Sequence, residues 1–304
     1  MIFNNMINTN KYILMYHSIN GDKQKAVVGS FPIEMERFIF QVQSLKKYNY
    51  IFDYISNLNK QYSDNLNRIY ITGDDGTIDW TKNVLPWCEQ NKIPTHTAII
   101  TGPFETVPIY PITHLIQIIL ILRSEQQLLD LSNTLKKYLA KSELKYIEKI
   151  YFYENLEYRK IIKGACNLIL NKKEIYHFIG NLSKLEKDLL IQRFEKLEYY
   201  KNFNYAEIGV HTKSHWALGK NYSEYITEEI ETSRELLLKN GLNPTKYFVS
   251  PMKPRDGASL FDIKDNLKNL GYDGILDSNH GIWNQKDFII PRIDAKNIED
   301  FFKL

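Results

Sequence analysis

Asp74 and Asp75 stand side by side, and far downstream His211 and His215 stand four residues apart. The aspartates sit in Arg68-Ile69-Tyr70-Ile71-Thr72-Gly73-Asp74-Asp75-Gly76, where an apolar, β-branched run predicts a short buried strand that ends at Gly73. Neighbouring residues of a strand point to opposite faces, so the two carboxylates have different tasks. At a strand's end, one can face a metal ion while the other faces a water on that ion. The histidines sit in Glu207-Ile208-Gly209-Val210-His211-Thr212-Lys213-Ser214-His215-Trp216, again behind a short apolar strand. If a helix starts there, this spacing puts both imidazoles on one face, about 5–6 Å apart at Cβ. Two neutral imidazoles, one carboxylate and a water are the ligand set of a catalytic zinc site. Either motif alone is commonplace, since a DDG often makes a solvated turn and an HxxxH often packs a helix. The informative feature is their order, strand–DDG and then strand–HTKSH.

These two stretches resemble the motifs of the polysaccharide deacetylases, the NodB-homology family (carbohydrate esterase family four). Its first motif, T-F-D-D-G, is matched by Thr72-Gly73-Asp74-Asp75-Gly76, and its second, H-[ST]-x-x-H, by His211-Thr212-Lys213-Ser214-His215. The resemblance implies that Asp74 is the general base and that Asp75, His211 and His215 bind a divalent metal ion. Zinc is the expected ion, and cobalt or nickel suits the same ligands. It also implies removal of N-acetyl or similar N-acyl groups from an amino sugar or glycan, in bacterial surface-polysaccharide metabolism.

Elsewhere the chain departs from the family. The third motif, R-x-P-Y, keeps only Pro251, with Val249 and Met252 in place of arginine and tyrosine. Pro291-Arg292-Ile293 on the last strand resembles a sequence that some members carry. A planar guanidinium there suits two-pronged contact with a carboxylate, so Arg292 is expected to orient Asp74. The L-x-H that supplies the family's catalytic acid is replaced by Ile293-Asp294, which leaves His17 or His280 as proton donor, with His17 preferred. The family's fourth motif often places a tryptophan as one wall of the acetyl pocket, and the resemblance implies Trp283 for that place. Two competing readings are a non-catalytic carbohydrate-binding or assembly protein on the same fold and an amidase for a non-carbohydrate amide.

The elements that would position these groups alternate strand and helix. They predict an α/β fold, a distorted (β/α) barrel of about seven strands with a helical insertion. Tyr12-Ile13-Leu14-Met15-Tyr16 is a buried strand with His17 at its C-terminal end, the chemical face of such a barrel. Ser30-Phe31-Pro32 leads into a helix over 33–48 with Phe38, Val42 and Leu45 on one face, and 79–90 is a second with Trp80, Val84 and Trp87. His96 lies near the start of the strand 94–101 and is read as structural. Residues 1–111 and 203–304 form the two parts of the barrel. Between them, 112–202 has no proline and carries leucine stripes at helical spacing: Leu128, Leu131, Leu135 and Leu139, then Leu185, Leu189, Phe194 and Leu197. This insertion is a candidate lid, partner surface or oligomerisation element beside the barrel mouth, and its His114 and His177 read as surface or packing residues. A helix over 226–240 closes at Gly241, with Glu228, Glu229 and Glu231 suited to its N-terminus.

Composition narrows the class. The 304 residues are 43% hydrophobic and 13% aromatic, which describes a folded chain rather than a disordered one. Lys and Arg total 39 against 36 for Asp and Glu, a formal +3, too balanced to favour nucleic acid or an acidic surface. Cys88 and Cys166 show no metal-ligand spacing and read as reduced thiols. Residues 1–11 are Asn-rich and lack the apolar stretch of a secretory signal, and the run 115–122 is too short to span a bilayer. The expected partner is a carbohydrate substrate, and the expected location is cytoplasmic.

Overall fold

The computed structural model of the protein describes residues 10–19 and 32–304. Ser30 and Phe31, read as the lead-in to the first helix, and most of the Asn-rich N-terminal stretch lie outside the described residues. Eight parallel strands form one sheet: β1 (Lys11–Tyr16), β2 (Ile51–Phe52), β3 (Arg68–Gly73), β4 (Thr95–Ile99), β5 (Ala206–Val210), β6 (Pro244–Val249), β7 (Gly274–His280) and β8 (Ile289–Asp294). Their order is β1-β8-β7-β6-β5-β4-β3-β2, and β1 also pairs with β3 along its whole length, closing the sheet into a ring that leaves only β2 outside. The ring is a distorted barrel. β1 and β8 share only the pairs Leu14–Ile293 and Met15–Asp294, and the register slips in β5–β6 and β7–β8. The two-residue β2 has too few positions for a period to declare itself, so periodicity does not reveal it.

Strand alternation sorts the side chains. Ile69 and Ile71 of β3 face outward into the main core with Leu14, Tyr16, Val210, Phe248 and Ile293. Tyr70 faces inward with Ile13, Ala98, Tyr247, Val249, Leu276 and Ile290, filling the barrel. Two residues on from Tyr70 comes Thr72, and two further Asp74, so the carboxylate inherits the inward face. Because all strands run parallel, their C-terminal ends crowd one mouth. α1 (Met35–Lys47) and α2 (Ile78–Asn91) cover the outer face through Phe38, Val42, Leu45, Trp80 and Val84. Inside, the His96 ring lies where a side chain at position 209 would go: a Cβ there would fall 2.3 Å from its Cε1, so only glycine fits. Burial holds the His96 pKa down at about 3, and its Nε2 meets Thr245 Oγ1 at 2.9 Å. It is a neutral packing residue.

The helical segment begins with α3 (Ile112–Leu122), almost wholly apolar and the centre of a second core. Around it lie α4 (Glu125–Tyr138), α5 (Lys141–Ile150), α6 (Glu157–Gly164), α7 (Lys172–Ile179) and α8 (Lys184–Gln192). Ser124, Asn171 and Ser183 start α4, α7 and α8 with full capping boxes to Gln127, Glu174 and Glu186. Leu128, Leu135 and Leu139 are buried, as their spacing predicts. The second expected stripe does not form: Leu185 is 58% exposed, Leu190 is buried, and Leu197, beyond the end of α8, joins the barrel core. After β5, α9 (Tyr222–Glu224), a π-helical stretch (Tyr225–Glu231) and α10 (Thr232–Lys239) follow without a break. α11 (Lys264–Asn269) and α12 (Ile298–Phe302) complete the helices. Among the described residues, no helix is long and apolar enough to cross a membrane.

Candidate active site

Asp74 is buried and gripped by Arg292. The guanidinium gives Nη1 to Oδ1 at 2.6 Å and Nη2 to Oδ2 at 2.7 Å, with further bonds from Nη1 to Thr72 Oγ1 and from Nε to the Asp277 carbonyl. Burial alone would raise the Asp74 pKa, but the Arg292 charge, aided by His211 and His17, holds it below the usual carboxylate range. Arg292 thus meets Asp74 from the last strand. At Gly73 the Trp80 indole occupies the space of a side chain: a Cβ would fall 2.2 Å from Cε2. Trp80 Nε1 in turn donates to Thr97 Oγ1.

Asp75 turns the other way, with φ of 73°. Its Oδ1 lies 3.3 Å from His211 Nε2 and 3.3 Å from His215 Nε2, and the three ligand atoms all lie within 4.8 Å of one another. His211 Nδ1 meets the Val249 carbonyl at 3.0 Å and His215 Nδ1 meets Thr113 Oγ1 at 2.9 Å, which turns each Nε2 toward the aspartate. Asp75 Oδ1 and His211 Nε2 are buried with no hydrogen-bond partner. Buried polar atoms left unpaired this way are costly, and a shared cation satisfies them together. Burial would raise the Asp75 pKa, yet contacts with His114, His211 and His215 keep it well below the carboxylate range. The residues fit a divalent ion: one anionic oxygen and two imidazole nitrogens, each imidazole oriented from behind.

The histidines reach this point by a route that their spacing does not predict. No helix starts at His211. The stretch is an irregular turn in which Thr212 (φ 65°) and His215 (φ 54°) adopt the left-handed region, an outlier for a β-branched residue. Long-range hydrogen bonds impose it. The carbonyls of Thr212, Lys213 and Ser214 accept from the N–H groups of Thr101, Gly102 and Ile112. From the other side, Glu229 accepts from the N–H groups of Lys213 (3.0 Å) and Ser214 (2.8 Å), from Ser214 Oγ (2.6 Å) and from Lys172. Glu229 is thus no N-terminal helix charge but the buried support of the histidine turn. Strain held in place by such contacts is typical of functional sites.

His17 Nε2 lies 3.9 Å from Asp74 Oδ2, at the end of β1, and the side chain is 18% exposed. Beside it opens a cavity of about 340 Å³ lined by Ser18, Arg37, Asp294 and Lys296 among others. His280 is exposed, stands in register with Arg292 and packs on Phe301. Pro251 follows β6 half-buried. Trp283 does not wall the site: its indole packs in the barrel interior with Ile55 and Leu58, 5.9 Å from the Nζ of Lys11 at the start of β1, the end opposite His17. The β7–β8 loop has carried it to the barrel floor.

His114 is the site residue that sequence reasoning misses. It is fully buried rather than a surface or packing residue, with Nε2 3.4 Å from Asp75 Oδ2. Its position was a usable signal, since it lies in the first turn of the helix that follows the mouth-side loop of β4. His177 is exposed, as expected.

No protein-family model and no curated protein sequence matches the chain. Solved structures do. A Streptococcus pyogenes deacetylase, PplD, in complex with acetate, superposes with a TM-score of 0.52 at 16% identity, over 96% of this chain and 97% of its own. A de-N-acetylase from Aggregatibacter actinomycetemcomitans gives 0.55 at 15% identity, over 96% and 99%. A polysaccharide deacetylase from Bacillus cereus gives 0.51 at 14% identity, over 97% and 68%. The chain has the polysaccharide-deacetylase fold. On this deacetylase fold, Asp74, Asp75, His211 and His215 meet at the mouth of the ring, with Arg292 beneath Asp74 and His17 beside it.

Proposed function

We propose that the protein is a metal-dependent N-deacetylase acting on an N-acetylated sugar or glycan of a bacterial surface polysaccharide. The observation that carries this reading is the pairing of the Asp75–His211–His215 cluster with an adjacent, arginine-clamped Asp74 on a deacetylase fold. Asp75, His211 and His215 would hold the ion, zinc by ligand type, with cobalt and nickel able to replace it. Such an ion supplies Lewis acidity, polarising an amide carbonyl and acidifying a water.

The protein's own groups do the rest. Asp74 is ionised at neutral pH and takes the proton of the attacking water as general base. The Arg292 clamp lowers its basicity and fixes both oxygens in one plane. His17, across the Asp74 carboxylate, protonates the departing nitrogen, without which amide cleavage stalls. In the cavity beside His17, the polar groups of Ser18, Arg37, Asp294 and Lys296 suit the hydroxyls of a sugar. The buried free thiols of Cys88 and Cys166 support a reducing, cytoplasmic setting.

The test is a screen for acetate release by zinc-loaded protein over N-acetylated amino sugars, their oligomers and small acyl amides. The reading expects release from a glycan or amino sugar. Release from small amides alone would replace it with a non-carbohydrate amidase, and binding without release from anything would make the protein a carbohydrate-binding one.

A further inference from the structure

We infer that the helical segment belongs to the metal site through a positioning pair, Arg193 and His114, that fixes how Asp75 presents its carboxylate. The inference rests on the metal site proposed above. The two oxygens of Asp75 face different ways: Oδ1 looks to His211 and His215, and Oδ2 to His114 Nε2 at 3.4 Å. His114 is not part of the cluster whose ligand atoms lie within 4.8 Å of one another. Its Nδ1 lies 3.0 Å from Arg193 Nη1, which also donates to Gln117 Oε1 at 2.7 Å, one turn along α3. A guanidinium has donors only, so Nδ1 must accept. The ring proton of a neutral His114 is then on Nε2, which is buried, makes no hydrogen bond, and has Asp75 Oδ2 as its charged neighbour at 3.4 Å.

Arg193 thereby sets the tautomer and turns an N–H of His114, not a lone pair, toward the carboxylate. With Oδ2 facing that N–H, Asp75 offers Oδ1 to the ion. Thr113, the preceding residue, meets His215 Nδ1 at 2.9 Å, so one turn of α3 orients two of the three ligands. The segment is built into the centre, whatever else its outer surface does.

Losing such a supporting contact typically weakens metal binding about 10–100-fold. The test uses the full chain stripped of metal, with zinc affinity read by chelator competition and the coordination sphere read from the visible spectrum after cobalt loading. His114→Asn keeps an acceptor where Nδ1 stood, facing Arg193, but is too short to reach Asp75. His114→Gln carries an amide N–H to the place of Nε2. The expected result is a loss of zinc affinity of about 10–100-fold in His114→Asn, recovery of most of it in His114→Gln, and an unchanged cobalt spectrum in both. Wild-type affinity in His114→Asn would reduce His114 to packing. A cobalt spectrum altered in both variants would make it a ligand. If the wild type binds neither ion, the metal site itself fails and this inference with it; the other two outcomes leave that site standing.

Discussion

Arg292→Met should expose how Asp74 is kept charged inside the barrel. The guanidinium is fully buried and donates to both oxygens of the Asp74 carboxylate. Methionine preserves much of the stem and removes the charge. Breaking a buried pair from one side typically costs about 3–5 kcal/mol, because the remaining charge stays buried without compensation. At about 2.1 cal/mol/K per residue, the 304 residues give an unfolding entropy of about 0.64 kcal/mol/K, so that cost lowers Tm by about 5–8 °C. The sign of the pH dependence follows from linkage. In the wild type the folded pKa of Asp74 is depressed, so its contribution is complete at neutral pH and fades only as pH falls through that low value. In the variant, burial is unopposed by Arg292 and the folded pKa rises above the unfolded one. Protonation then relieves the penalty as pH falls. The assay is thermal melting of metal-free wild type and variant at about pH 7 and about pH 5. A Tm gap that narrows at the lower pH is expected. An equal gap at both values, or none at pH 7, would refute the claim that Arg292 offsets a buried carboxylate charge.

Three further substitutions probe other parts of the account. His17→Ala should lower kcat by about 10²–10⁴-fold while zinc content stays at the wild-type level, since His17 is assigned a proton and no metal; loss of the ion from this variant would reassign it as a ligand. Glu229→Ala leaves the Lys213 and Ser214 N–H groups without their acceptor, and a drop in zinc affinity of about 10–100-fold by chelator competition is expected; wild-type affinity would mean the histidine turn holds its shape without Glu229. Gly209→Ala drives a methyl into the His96 ring, and urea unfolding should register about 1–3 kcal/mol of lost stability, whereas an unchanged midpoint would show that His96 moves freely.

The parts of this site that the sequence reveals are those carried by strand ends. Arg292 lies within a parallel strand, and His17, Asp74, Asp75 and His211 lie one or two residues past the end of one. A closed parallel barrel brings such positions to one mouth whatever the details of packing. Period-two alternation likewise gives the inward direction of Asp74. The hidden parts depend on contacts between distant segments. The left-handed backbone of Thr212 and His215 has no local cause, because threonine disfavours it; Glu229 and the β4–α3 loop enforce it from outside the motif. The sequence reads His114 as a surface or packing residue, whereas a hydrogen bond from Ile112 N to the Ser214 carbonyl seats the start of α3 against the histidine turn and brings it to Asp75. Trp283 is expected at the acetyl pocket only through the resemblance to the family's fourth motif, whereas its loop returns to the barrel floor. The stripe through Leu185 failed because α8 ends at Gln192, and the chain beyond it packs on the barrel rather than on the helices.

The central claim is that Asp75, His211 and His215 hold a divalent ion on which deacetylation depends. The most direct test is to remove all metal from the wild-type protein, add zinc in steps, and follow acetate release from a substrate found in the screen against zinc bound per chain. The account predicts no release from the metal-free protein and a rise that saturates at one ion per chain, with no rise for His211→Ala over the same range. Full release from the metal-free protein, or zinc-dependent release that survives in His211→Ala, would contradict it.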